Sequence, residues 1–203
     1  MILRSMFDRV TVRVSDLEAG RRFYGTLLGE DWGNFEITPA SAPTRHLHVA
    51  FIASSRDDVD AFWRRGVDAG YESDGEPGLR PQYDADYYGG FLLDPDGNSV
   101  ESVYHGRVRS GEGIIDHLWI GVRDLAASRR FWETVATQLG LRFTSELPER
   151  FHLAARGRSF ANVADGRPPS ENVHVAFPVA PGEPGFTAVD PDGNTIEAVT
   201  RPA

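Results

Sequence analysis

Two short stretches carry residue types that do chemistry, and each occurs twice. LDPDGNSVESV (93–103) and VDPDGNTIEAV (189–199) each set a lone glutamate, Glu101 or Glu197, three residues after an asparagine. LHVAF (47–51) and VHVAF (173–177) each set a histidine, His48 or His174, at the start of an apolar run, and DHLWIGV (116–122) adds His117. A neutral imidazole offers a lone pair and a carboxylate an anionic oxygen. Two histidines and one glutamate on one concave face therefore suit Fe(II), Mn, Co, Ni or Zn, with coordination positions left open. On separate faces the same residues are solvated strand ends.

Alternation tests the first possibility. His174 shares a strand face with Ala176, opposite Val173, Val175 and Phe177; His117 lies opposite Leu118, Ile120 and Val122; Glu197 lies opposite Ile196 and Ala198. In strands of period two, all three project away from the face that packs on a core. Trp119 shares the face of His117 and is a candidate to line a pocket, whereas Trp32, Trp63 and Trp132 read as packing residues.

The elements that must position these residues also repeat. DRVTVRVSDLEAGRRFYGTLLG (8–29) aligns with DHLWIGVRDLAASRRFWETVATQLG (116–140). Each reads as a half-buried strand, an Asp N-cap (Asp16, Asp124), an amphipathic helix, and a closing glycine (Gly29, Gly140). A further helix is expected over 56–69, capped by Ser55, with Val59, Phe62, Trp63 and Val67 on one face. DPDG suits a type I turn, with Asp at i, Pro at i+1 and Gly at i+3, which makes 91–104 and 186–200 hairpins. Between Phe51 and Phe91 the first repeat carries a helix and a long loop; the second has only PVAPGEPG at that place, but about twenty extra residues earlier, at 141–160. Each repeat has lost a different part. The expected division is 1–106, a linker at 107–113, and a shortened second domain at 114–203.

Composition narrows the classes. A chain of 203 residues can bury one large core or two small ones. A net charge of −9 without a basic cluster argues against nucleic acid. No apolar run approaches a membrane span and the N-terminal sequence lacks a secretory pattern, so a cytoplasmic location is expected. The absence of cysteine removes disulfides, thiolate metal sites and a cysteine nucleophile.

Strand–helix–strands, then HVAF, then DPDGNxxE, twice in that order, resembles the vicinal oxygen chelate superfamily, which includes glyoxalase I, bleomycin-resistance and extradiol dioxygenase families. The resemblance covers nearly the whole chain. It implies an α+β fold of tandem βαβββ-type modules in curled mixed sheets, with metal ligands on the first and last strands of paired modules. Carried onto this sequence, it names His117, His174 and Glu197 as ligands in the second repeat. Phe160, Ala161 and Asn162 stand where a second carboxylate would be, so the set is nearer the dioxygenase pattern than the two-His two-Glu glyoxalase pattern. The first repeat offers Arg9, Glu36, His48 and Glu101. Arginine has no lone pair to give, so Arg9 is expected to replace a metal there, forking onto Glu101 or Glu36. Arg9 also argues against a metal among His46, His48, Glu36 and Glu101. Arg80, Tyr83, Tyr87 and Tyr88, in the loop GEPGLRPQYDADYYGG, are candidate substrate contacts, while His152 reads as a surface strand residue.

These readings lead to a divalent-metal enzyme of glyoxalase, lyase or dioxygenase type acting on a small oxygenated molecule. The competing class is a metal-free binder that sequesters a small hydrophobic or aromatic compound; a third is a degenerate scaffold serving assembly. A homodimer would complete a cup that a shortened repeat leaves open.

Overall fold

The computed structural model describes residues 5–108 and 112–200, so the expected linker at 107–113 lies partly outside them. The architecture is α+β and consists of four modules in chain order. The first is short: β1 (Arg9–Val14), α1 (Leu17–Leu28) and β2 (Phe35–Pro39). The second is complete: β3 (Leu47–Ile52), α2 (Arg56–Asp68), β4 (Ser73–Leu79), β5 (Tyr87–Leu93) and β6 (Ser99–His105). So is the third: β7 (Ile115–Gly121), α3 (Leu125–Val135), β8 (Arg142–Leu147), β9 (Arg150–Ala155) and β10 (Arg158–Val163). The fourth has β11 (His174–Val179), β12 (Phe186–Val189) and β13 (Thr195–Thr200), with no helix.

Local chemistry explains these elements. Asp16, Ser55 and Asp124 accept hydrogen bonds from the backbone N–H groups three residues on, as N-caps do. Gly29 closes α1 as expected, but α3 ends at Val135 and Gly140 closes the turn that follows, with φ 66°. The segment expected as a long loop after α2 contains β4, an edge strand whose pairing with β5 slips twice around Gly75 and Gly78. Glycine and proline mask its strand signal while leaving it fit for a sheet edge.

The modules pair across the repeats. The two complete modules share an eight-stranded sheet, ordered β4-β5-β6-β3-β7-β10-β9-β8, joined by antiparallel β3 and β7. The two short modules share a five-stranded sheet, ordered β12-β13-β11-β1-β2, joined by antiparallel β1 and β11. Each sheet thus draws on both segments 1–106 and 114–203. The losses noted in each repeat meet in one sheet and leave the other whole.

One buried cluster fills the space behind both sheets and takes in all three helices. Leu47, Val49 and Phe51 of β3 point into it, as do Val175 and Phe177 of β11. Aromatic contacts stitch the sheets together, with Phe160 and Phe177 ring centroids 5.8 Å apart and those of Phe35 and Phe51 5.1 Å apart. Edge-on and tilted pairs of this kind contribute about 0.5–1.5 kcal/mol each beyond area burial. With the apolar faces inward, the opposite faces of both sheets carry the polar strand residues. No described helix is long and apolar enough to cross a membrane.

Candidate metal centre and its twin

The DPDGN turn sets the register of the site. Asp94 Oδ1 accepts from the backbone N–H groups of Asp96 and Asn98, and Oδ2 accepts from the Asn98 amide and the Tyr24 hydroxyl. The Asn98 Oδ1 in turn accepts from Leu47 N–H, which ties the start of β3 to the start of β6. The resulting parallel register pairs His48 with Ser99 and Ala50 with Glu101. On its other side β3 pairs Ala50 with His117 of β7. Ala50 lies between the glutamate and the histidine with only a methyl group, so both side chains close over it.

Three ligand atoms converge there. His48 Nε2 lies 3.0 Å from Glu101 Oε2, His117 Nε2 lies 3.4 Å from the same oxygen, and the two imidazole nitrogens are 3.3 Å apart. Ligands at about 2.0–2.2 Å from one ion are separated by about 3.0–3.5 Å in octahedral or tetrahedral arrangements, so the donor set fits a divalent metal. Among the described residues it is the one His/Asp/Glu group whose ligand atoms come this close together.

The outer contacts aim these atoms. Ser99 Oγ donates to Asp74 Oδ2 (2.7 Å), so it can only accept from His48 Nδ1, 3.0 Å away. That leaves the His48 Nε2 lone pair facing the centre. His117 Nδ1 donates to Asp116 Oδ1 (2.9 Å), which also lies 3.1 Å from His105 Nε2. Tyr87 donates from its hydroxyl to Glu101 Oε1 (2.7 Å), leaving Oε2 as the free ligand atom. Gly89 is required beside this carboxylate, since a Cβ at that position would stand 2.3 Å from Glu101 Oε1.

Electrostatics follow from burial and these contacts. Burial alone raises the Glu101 carboxyl, but the imidazoles of His117 and His48 beside it outweigh burial and hold the group at about 2. Burial lowers His117, yet Asp116 and Glu101 lift it to about 9. For His48 burial wins over Glu101, and the imidazole is pushed down toward its neutral form. Asp116 is pushed up by burial and brought well below the carboxylate range by His105 and His117. Without a metal, one proton on His117 neutralises a carboxylate that no water reaches.

The expected trio of His117, His174 and Glu197 is divided. His174 and Glu197 lie on the five-stranded sheet, where His174 Nε2 is 3.0 Å from Glu197 Oε2. Arg9 joins them, with Nη2 3.4 Å from Glu197 and Nε 3.1 Å from Glu36, and Glu36 also accepts from Thr11 Oγ1 at 2.7 Å. Arg9 therefore pairs with Glu197 and Glu36, and Glu101 has His48 and His117 instead. The physical reason is the choice of pairing edge: β1 runs beside β11 and β7 beside β3, so ligand positions combine between repeats. The registers make the two sites equivalent. Arg9 stands opposite Ala176 as His117 stands opposite Ala50, and Glu36 beside Thr11 matches Ala161 beside Trp119. Ala161 thus leaves the fourth position of the buried site open.

A cleft of about 320 Å³ opens above the buried trio. Tyr83, Trp119, Phe91 and Arg80 line its sides. Tyr88 turns away and donates to Asp60 of α2 (2.8 Å). His46 also leaves the His48 face, with φ 56° and Nδ1 3.2 Å from the Pro169 carbonyl. His152 contacts Ser145, 2.8 Å from its Nδ1. The outer partners Asp116 and His105 escape sequence reading. Alternation aims Asp116 away from His117, but a bulge places Ile115 opposite Phe51 and His117 opposite Ala50, so Asp116 is the extra residue and swings toward His117.

Residues 34–102, which include His48 and Glu101, match the family model described as Glyoxalase/Bleomycin resistance protein/Dioxygenase superfamily. A glyoxalase I variant from Zea mays superposes with a TM-score of 0.67 at 16% identity, over 96% of this chain and 93% of that chain. A candidate dioxygenase from Bacillus subtilis gives 0.67 at 12% identity, over 100% and 87%. A glyoxalase/bleomycin resistance protein from Albidiferax ferrireducens is 30% identical over 49% of this chain and 98% of its own, with a TM-score of 0.43. No curated protein matches the sequence. The family model thus places residues 34–102 in the glyoxalase/bleomycin resistance protein/dioxygenase superfamily, and the fold is shared along the whole chain.

Proposed function

We propose that the chain is a divalent-metal enzyme acting on a small molecule with adjacent oxygens, and that His48, His117 and Glu101 hold the metal. The observation that carries this reading is the convergence of two Nε2 lone-pair atoms and one Oε2 within 3.0–3.4 Å of one another at the base of a cleft. Closed structural sites supply four protein ligands, whereas three with an open fourth position leave room for substrate. Two imidazoles and one carboxylate suit Fe(II) and, with less selectivity, Mn, Co, Ni or Zn. A bound ion would supply Lewis acidity to the substrate's oxygens. The protein's own part is to fix the imidazoles through Ser99 and Asp116, to keep Glu101 ionised and one-handed through Tyr87, and to exclude water with Tyr83, Tyr87 and Trp119.

A second reading has its own support. His117 already neutralises Glu101, so the cleft can exist without an ion and sequester a small aromatic compound. Elemental analysis of protein purified without a metal-affinity tag separates the two. The enzyme reading expects close to one divalent ion per chain, lost in His48→Ala. No ion, and no rise in melting temperature on adding Fe(II), Mn, Ni or Zn, would leave the binder.

A further inference from the structure

The wall of the cleft holds a cation that the metal reading does not use. Arg80 follows β4, and its guanidinium donates to two backbone carbonyls, Glu76 O at 2.7 Å and Leu79 O at 3.3 Å. It lies over the Phe91 ring, 5.4 Å from the centroid, and Phe91 in turn leans on His48 with centroids 6.0 Å apart. Gly78 lies against the guanidinium, since a Cβ there would stand 2.8 Å from Arg80 Nη1. Among the described residues no carboxylate pairs with Arg80. The neighbouring Arg167, by contrast, is spent on Asp165, 2.7 Å away. A guanidinium has five donors, and only two are engaged.

Such a seat fixes a planar fork on the wall of a small cleft. The cleft's exposed carboxylate, Asp74, accepts from Ser99 Oγ, and the chain as a whole carries −9, so this guanidinium is a local cation and not the spill-over of a basic surface. An uncommitted guanidinium matches a carboxylate in geometry and charge. The other walls are flat: Tyr83 and Trp119 meet edge to face with centroids 5.6 Å apart, and Trp119 also contacts His48 at 5.9 Å. They suit a planar body between the anion and the metal-binding oxygens.

We infer that the ligand of this site is a small planar molecule bearing a carboxylate in addition to its adjacent oxygens, and that Arg80 receives the carboxylate. The inference rests on the metal reading, and its test keeps the two apart. Calorimetric titration with Mn(II) alone comes first, on wild type, Arg80→Gln and Arg80→Lys. Equal affinity in all three is expected and shows that each variant is folded and its metal site intact. The Mn(II)-loaded proteins are then titrated with catechol and with 3,4-dihydroxybenzoate, which differ by the carboxylate alone. Wild type is expected to prefer the carboxylated probe by about tenfold or more, as a charge-assisted fork implies. Arg80→Gln should lose the preference without losing catechol, and Arg80→Lys should keep part of it. Wild type that takes up no Mn(II) overturns the metal reading and this inference with it. Metal uptake without a preference, or a preference that survives in Arg80→Gln, overturns this inference alone.

Discussion

The two sheets carry the same four positions and have filled them differently. In the eight-stranded sheet they hold His117, His48, Glu101 and Ala161; in the five-stranded sheet they hold Arg9, His174, Glu197 and Glu36. The glutamate side chains differ most, since Glu101 is 0% exposed and Glu197 31%. The cover explains the difference. The complete modules supply β4, β5 and the turn that brings Tyr83 and Tyr87 over Glu101, while the short modules have only β12 at that edge. A buried carboxylate facing two imidazoles needs a cation, and metal or proton can supply it. A half-exposed one facing Arg9 already has a cation that never leaves. The contrast teaches that an arginine at the position equivalent to His117 gives the same carboxylate a fixed cation while preserving the arrangement around it.

The sharpest way to break this comparison is to remove the equivalent imidazoles in turn. His117→Ala is expected to weaken Mn(II) or Zn(II) binding more than about 100-fold, because one of three ligands goes and second-shell losses alone reach 10–100-fold. His174→Ala should change it less than twofold. Equal losses in a metal titration would mean that the twin, and not the buried trio, holds the ion. Asp116→Asn comes next. It removes the carboxylate that fixes His117 Nδ1–H, and a loss of about 10–100-fold in metal affinity is expected. The twin can also be reopened. Arg9→His places an imidazole beside His174, Glu197 and Glu36, and a second, weaker equivalent of metal should appear in the stoichiometry. A stoichiometry still at one would show that shape alone does not make the site.

Much of this fold was legible because its signals are local. Asp16, Ser55 and Asp124 announce their helices, DPDGN announces its hairpins, and alternation places His48, His117, His174 and Glu197 on the non-core faces. Pairing was not legible. Which strand lies beside which is decided by packing over a hundred residues, and no pattern within β1 or β7 says that its neighbour is β11 or β3. Taking ligands from within one repeat therefore joined His117 to partners on the other sheet. Asp116 was hidden for a different reason, since the bulge opposite Ala50 and Phe51 reverses the alternation on which the reading depended.

Protons offer a further contrast between the sites. His117 rises from its ordinary 6.5 to about 9 in the metal-free fold, held first against burial and then by Asp116 and Glu101. A raised folded value means the stabilisation is fully present below 6.5 and is lost as pH climbs through 9. Chelator-treated protein should thus lose stability between pH 6.5 and 9, at no more than about 1.4 kcal/mol per pH unit for one proton. Glu101, held at about 2, stays ionised over that window, since its contribution fades only as pH falls from 4.5 through 2. His48 is lowered by burial, so its effect falls below 6.5. Denaturant melts across pH should show the slope in wild type and in His174→Gln, and not in His117→Gln. A slope that follows His174 would reverse the roles of the two sites.

The smallest effect concerns the arginine itself. Arg9, Glu36 and Glu197 have side chains 37%, 44% and 31% exposed, so water screens their attraction. Exposed pairs contribute about 0–1 kcal/mol, and a chain of this size shifts its melting temperature about 2–4 °C per kcal/mol. Arg9→Gln is therefore expected to lower the melting temperature by less than about 4 °C. Glu101→Gln, by contrast, removes one of the two buried carboxylates beside His117, and removing one partner of a buried pair costs about 3–5 kcal/mol. If Arg9→Gln proved as damaging as Glu101→Gln, Arg9 would be a cornerstone of the five-stranded sheet, and its occupation of a ligand position would need a structural explanation in place of an electrostatic one.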